Sequence, residues 1–224
     1  MSEGKFFNFD GGDGSGKTEQ AKLAAERLAR ETGRKVSTLS YPRYHTKTGA
    51  VVKAYLDGAF GPPMDIDARQ ASMLYAIDRW ASFKEGDFEG LKRGEHLVSN
   101  RYVTANMGHQ GSKIADPAAR TAFFRWEDEI EYGFFGIPRP DLNVILHVPA
   151  EVSMRLIVAR GNAMDGHENL EHLKRAEATY LEIASTFPNC VLIECAPGGN
   201  LLSIPEIHEL VWAEVSKALV LQPA

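Results

Sequence analysis

Residues 5–18 read KFFNFDGGDGSGKT, an apolar run that breaks into glycine and ends on Gly16-Lys17-Thr18. The glycine part is Gly11-x4-Gly16-Lys17-Thr18, a phosphate-binding loop set between a strand and a helix, as that loop requires. The backbone has to curl with its N–H groups inward. Glycine permits the curl, and the following helix adds partial positive charge at its N-terminus. Chance supplies the fixed positions in a chain this long on the order of one per cent of the time. The strand–loop–helix setting lowers that further, so a bound nucleoside triphosphate is the expectation. Gly11, Gly12, Asp13, Gly14, Ser15, Gly16, Lys17, Thr18 and Glu19 are the expected nucleotide contacts. Lys17 reaches the β- and γ-phosphates, and Thr18 offers its hydroxyl to Mg²⁺.

Four more apolar runs follow, at 35–41, 95–100, 142–148 and 190–195. Helical periodicity separates them, over 16–33, 65–83, 115–135, 150–160, 169–185 and 203–219. Strands alternating with helices predict a parallel sheet with helices on both faces: an α/β, three-layer P-loop NTPase fold of five strands. Ligands of such sheets sit at the carboxyl ends of the strands. The stretch 42–94 is long enough to wall a substrate site. Asp116-Pro117 and Ser203–Glu206 carry helix-start signals. Met73, Leu74, Ile77 and Trp80 share one side of their helix.

The chain has 224 residues, which fits one domain over 1–224, and a net charge of −5, which argues against broad nucleic-acid binding. No run approaches the ~18 apolar residues of a membrane span. The N-terminus shows no signal-peptide pattern, so a cytoplasmic protein is expected. Cys190 and Cys195 are five apart on one strand, so they face opposite ways and do not pair.

Arg43, Arg79 and Arg101 all approach the loop-bearing edge of the sheet. Guanidinium groups bind phosphate oxygens two at a time, so a second phosphorylated substrate is expected beside the loop. The polar stretch around 158–170, with Arg160, Asp165, His167 and Glu168, suits a short lid that excludes water and brings an Arg to the transferring group. His167 and His172 lack zinc spacing. No Asn-Lys-x-Asp segment appears, so a GTPase switch is disfavoured.

Taken together, FNFDGGDGSGKTEQA, SYPRYHTKTG, MLYAIDRW, NRYVTANMGHQG and RGNAMDGHENLEHLKRAEATYLEIA resemble, in order and spacing, the thymidylate kinase family of nucleoside monophosphate kinases. The resemblance implies transfer of the ATP γ-phosphoryl to dTMP, with ATP and Mg²⁺ as cofactors and a homodimeric assembly. The aromatics of TAFFRW and YGFF could serve that interface or the core. The resemblance implies that Tyr75 stacks on the base, that Arg79 and Arg101 hold the monophosphate, and that Asn106, with His109 or Gln110, faces the base edge. Asp13 would lie near the acceptor or Mg²⁺. Tyr41, Arg43 and Asn100 complete the expected acceptor site, and Lys17, Asp13, Arg101 and Arg160 the expected catalytic group. The alternatives are a kinase for another monophosphate and a catalytically weak nucleotide-binding module.

Some positions depart from the family pattern. Asn100 stands for an Asp, and Asp10 for a Glu on the first strand. No Arg lies between Asp13 and Gly16, so the catalytic Arg is expected from the lid. Gly166 follows Asp165 where the lid Arg belongs, which leaves Arg160 or Arg155 to serve. Arg43 is offset by one.

Overall fold

A computed structural model of the chain describes residues 3–159 and 170–220. Its centre is a parallel sheet of β1 (Phe6–Gly11), β2 (Val36–Ser40), β3 (His96–Asn100), β4 (Leu142–His147) and β5 (Cys190–Glu194), in the order β2-β3-β1-β4-β5. Each strand falls within about a residue or two of an apolar run, because a strand buried on both faces must be apolar almost throughout. β1 lies between β3 and β4, where the winding direction reverses, and its carboxyl end is the usual binding crevice.

One face of the sheet is covered by α1 (Lys17–Thr32) and α9 (Ile204–Val220). Phe7 and Phe9 of β1 pack there with Ala24, Leu28, Val211 and Val215. The other face carries α3 (Ala68–Glu85), α5 (Val103–Gly111), α6 (Pro117–Asp128) and α8 (Leu170–Thr186), and there Phe6 meets Tyr102, Met107, Phe123, Phe124 and Ile183. Cys195 belongs to the first core and Cys190 packs against the second, so the two thiols are unpaired and face opposite sides. The helices α2 (Lys47–Leu56), α4 (Glu89–Lys92) and α7 (Ala150–Ala159) complete the set.

The start and stop signals act locally. Asp116 Oδ2 accepts from Ala119 N–H at 2.7 Å. Ser203 and Glu206 make reciprocal bonds at 2.8 and 3.4 Å, and Gly33 ends α1 at φ 65°.

Two expectations change. The helix expected over 115–135 is α6 followed by a π-helix, Glu129–Phe134, whose wider turn is closed by Phe135 N–H donating to Ile130 O at 2.9 Å. The apolar side of α3 faces outward. Ile77 and Trp80 are exposed, while Ala71, Ser72, Ala76, Asp78, Arg79 and Ser82 are buried. The inner face tolerates polar residues because each finds a partner: Asp78 with Arg43, Arg79 with Glu131 and Ser82 with Tyr41. Among the described residues no helix is long and apolar enough to cross a membrane.

Candidate active site

The phosphate loop joins β1 to α1. Gly11 has φ 138°, and a Cβ there would lie 2.4 Å from the Leu146 carbonyl oxygen, so only glycine fits beside β4. Gly14 and Gly16 also have positive φ, 82° and 83°. Gly16 caps α1 without any side-chain bond, so the first N–H groups of the helix are open to an anion. The Ser15 hydroxyl is buried with no protein partner, a donor suited to a phosphate oxygen. Lys17 Nζ donates to Gly12 O at 2.8 Å, which holds the ammonium across the loop. Thr18 and Glu19 are exposed on the first turn of α1.

Asn100 ends β3 beside this loop. Its Nδ2 donates to Thr18 Oγ1 and to Ser40 Oγ, both at 3.2 Å, while its Oδ1 is buried without a partner. Mg²⁺ at phosphate sites keeps several waters and takes few protein ligands. The Thr18 hydroxyl and the orphaned Asn100 oxygen fit that role. Among the described residues no cluster of three or more His, Cys, Asp or Glu side chains competes for a metal.

A cleft of about 280 Å³ runs from the loop along the top of the second core. Asp13 and Gly14 bound it at the loop. Arg101, His109, His172, Tyr75, Arg79, Asn106, Gln110 and Lys113 line it further, with Tyr41, Tyr44 and Tyr55. Most of the expected acceptor-site residues thus come together from the ends of β1, β2 and β3 and from α3 and α5.

Arg101 is aimed by its backbone. Its φ of 67° lies in the left-handed region. The turn is fixed by its N–H donating to Phe9 O at 2.9 Å and by the Ser99 hydroxyl donating to its carbonyl at 2.7 Å. Its Nη2 donates to Asp13 Oδ1 at 2.5 Å and its Nη1 meets His109 Nε2 at 2.7 Å. Burial alone would raise the Asp13 carboxyl, but Arg101 and Lys17 outweigh it and hold the group well below the usual carboxylate range. Burial pushes His109 down to about 3, and Arg101 adds to the effect. A neutral His109 therefore accepts at Nε2 and keeps its proton on Nδ1.

Several expected residues lie elsewhere. Arg43 does not line the cleft, because three carboxylates hold it. Its Nε donates to Asp78 Oδ1 at 3.2 Å, and its Nη1 reaches Glu85 at 2.5 Å and Asp87 at 3.3 Å. Asn100 faces the phosphate loop and not the acceptor cleft. Asp13, expected near the acceptor or Mg²⁺, lies on the acceptor side, held by Arg101 in the cleft. Asp10 is fully buried, with Oδ2 accepting from Asn8, Thr104 and Tyr102, so it braces α5 against β1. Arg155 is exposed on α7. Arg160, with Asp165, Gly166, His167 and Glu168, lies outside the described residues.

Other residues of the site carry no motif. Lys113 Nζ donates to Tyr55 Oη and to the Pro63 and Ile66 carbonyls, at 3.0, 2.7 and 3.0 Å, tying the α2–α3 connection to the end of α5. Burial lowers Lys113 to about 8. His172 of α8 stacks on His109 with ring centroids 6.1 Å apart. Glu127 and Glu131 sit behind the cleft against Asn106 and Arg79. Acidic side chains in WEDEIE read as a solvated helix face, and only the tertiary fold buries two of them.

A loop built for a triphosphate, facing a cation-lined cleft that ends in amide side chains, defines a P-loop kinase with a nucleotide-sized acceptor. The model of the family described as thymidylate kinase matches residues 9–199. A probable thymidylate kinase of Pyrococcus abyssi is 29% identical over 97% of this chain and 98% of its own. A thymidylate kinase of Mycobacterium tuberculosis is 31% identical over 79% of this chain and 84% of its own. The thymidylate kinase structure from Candida albicans superposes with a TM-score of 0.76 at 18% identity, covering 97% of this chain and 94% of that one. The chain belongs to the thymidylate kinase family. It is an ATP-dependent nucleoside monophosphate kinase.

Proposed function

We propose that the chain transfers the γ-phosphoryl group of ATP to the 5′-phosphate of dTMP, giving dTDP and ADP on the route to dTTP. One observation carries this reading: a single cleft joins the phosphate loop, through Asp13 and Arg101, to a pocket of Tyr75, Asn106 and Gln110. The open helix start, Ser15 and Lys17 grip the donor phosphates. Thr18 and Asn100 would hold Mg²⁺ and its waters, and the ion supplies charge neutralisation at the β- and γ-phosphates. Arg101 takes the acceptor monophosphate, and Tyr75 offers its ring to the base. The acceptor oxygen is already anionic, so no general base is needed and alignment dominates. Arg160 is the proposed lid residue.

The exposed Ile77, Trp80 and Phe134 support a homodimer, because Trp80 joins Phe134 through Phe135 into one apolar surface. Two unpaired thiols suit a reducing cytoplasm. The deciding experiment offers purified protein ATP and Mg²⁺ with dTMP, dUMP, dCMP, dGMP or thymidine and follows ADP. Turnover highest with dTMP is expected. No turnover with dTMP would sink the reading, and preference for another acceptor would redirect it.

A further inference from the structure

Asn106 reaches the cleft from α5 and is 2% exposed. Its Nδ2 is surrounded by acceptors: the Ser72 carbonyl at 3.1 Å, Glu127 Oε2 at 3.4 Å and Glu131 Oε1 at 3.4 Å. A primary amide has its donors on nitrogen and only acceptor capacity on oxygen. Reversing this amide would set Oδ1 against a carbonyl and two carboxyl groups. The surroundings therefore fix the orientation, and the oxygen is the atom presented to a ligand. Glu131 also holds Arg79 through Nε and Nη2. The π-helix places Glu131 where it can reach both side chains.

Two buried carboxyl groups on one amide nitrogen, with one guanidinium beside them, retain a proton between them. Burial pushes Glu127 up to about 8, and Glu131 adds to the effect. Protonated Glu127 keeps an acceptor oxygen for Asn106 while it donates to its neighbour.

We infer that Glu127 and Glu131 are positioning residues for base selection, which hold the Asn106 oxygen toward the cleft. The pocket then takes a base edge that donates N–H, as thymine does, and rejects one with a bare ring nitrogen, as in cytosine. An amide free to turn would serve both. The inference rests on the dTMP reading of this cleft.

The test measures kcat and KM for dTMP and dCMP in wild type, Glu127→Leu, Glu127→Gln and Glu131→Gln. NMR of the ligand-free proteins follows hydrogen exchange of the Asn106 side-chain amide. In Glu127→Leu the dTMP/dCMP ratio of kcat/KM is expected to fall by about tenfold or more, with the KM for ATP unchanged and faster exchange of the amide. Glu127→Gln, which mimics the protonated acid, restores the ratio. Glu131→Gln gives the larger loss if it folds, and if it does not, the two Glu127 variants decide. A role in stability alone lowers turnover of both acceptors and leaves their ratio in place, which overturns the inference. If wild type fails to use dTMP, the functional reading falls separately. Exchange then decides the amide lock, and equal rates in wild type and Glu127→Leu overturn it.

Discussion

Arg79 donates from Nε and Nη2 to the two carboxylate oxygens of Glu131, at 2.6 and 2.5 Å, in a pair closed off from water. Removing one partner from a buried pair leaves a bare charge and costs about 3–5 kcal/mol. Glu131→Ala should lose that much unfolding free energy in urea titrations. The double variant Arg79→Met/Glu131→Leu should regain much of it, because packed apolar side chains replace such pairs at little cost. It should still bind the acceptor poorly, since Arg79 lines the cleft.

The proton on Glu127 makes stability depend on pH. Its pKa rises from 4.5 to about 8 on folding. The folded chain thus keeps a proton that the unfolded chain releases between those values. The stability tied to this group is full below about pH 4.5 and is lost as pH rises through about 8. Glu127→Gln cannot titrate, so its Tm should fall less steeply across that window than the wild type's. Parallel Tm curves would refute the assignment.

Asn100 touches Thr18 through a neutral amide. Since phosphoryl transfer to a monophosphate needs no base, Asn100→Asp should alter turnover by no more than about tenfold, the scale of a half-exposed charge interaction. The Mg²⁺ concentration for half-maximal rate should fall. A gain of several hundred-fold, far above that roughly tenfold scale, would mark the native chain as a crippled enzyme.

Gly108 lies in α5 against the ring of Tyr180 on α8. A Cβ there would stand 2.4 Å from Tyr180 Cζ. Glycine to alanine inside a helix ordinarily stabilises by about 0.8–1 kcal/mol. Gly108→Ala should instead destabilise by about 1–3 kcal/mol through overpacking, read as a lower Tm.

The strands were legible because burial on both faces leaves apolar runs of strand length, and the phosphate loop because its spacing answers to one ligand. Helix α5 was not legible from periodicity, and only the family resemblance marked a base-reading helix there. Its VTANMGHQG carries two glycines and little periodicity, and the helix exists because Gly108 and Gly111 let it approach Tyr180 and Phe124. Phe123 and Phe124 of TAFFRW are fully buried in the core, whereas Phe134 of YGFF is exposed. Position alone did not separate them. Arg43 was misplaced for a similar reason. Its partners Asp78, Glu85 and Asp87 come from α3 and the turn after it, distant in sequence from the strand that carries it. Glu127 and Glu131 came to Asn106 and Arg79 only when α3, α5, α6 and the π-helix met.

Arg101 has one further consequence. Its left-handed backbone suits glycine, and another residue there costs about 1–2 kcal/mol. The peptide asks for one amino acid and the proposed contact with the acceptor phosphate for another. Heat resistance and turnover therefore pull in opposite directions at this position. A thermostabilising design that obeyed only the backbone would choose glycine and would silence the enzyme.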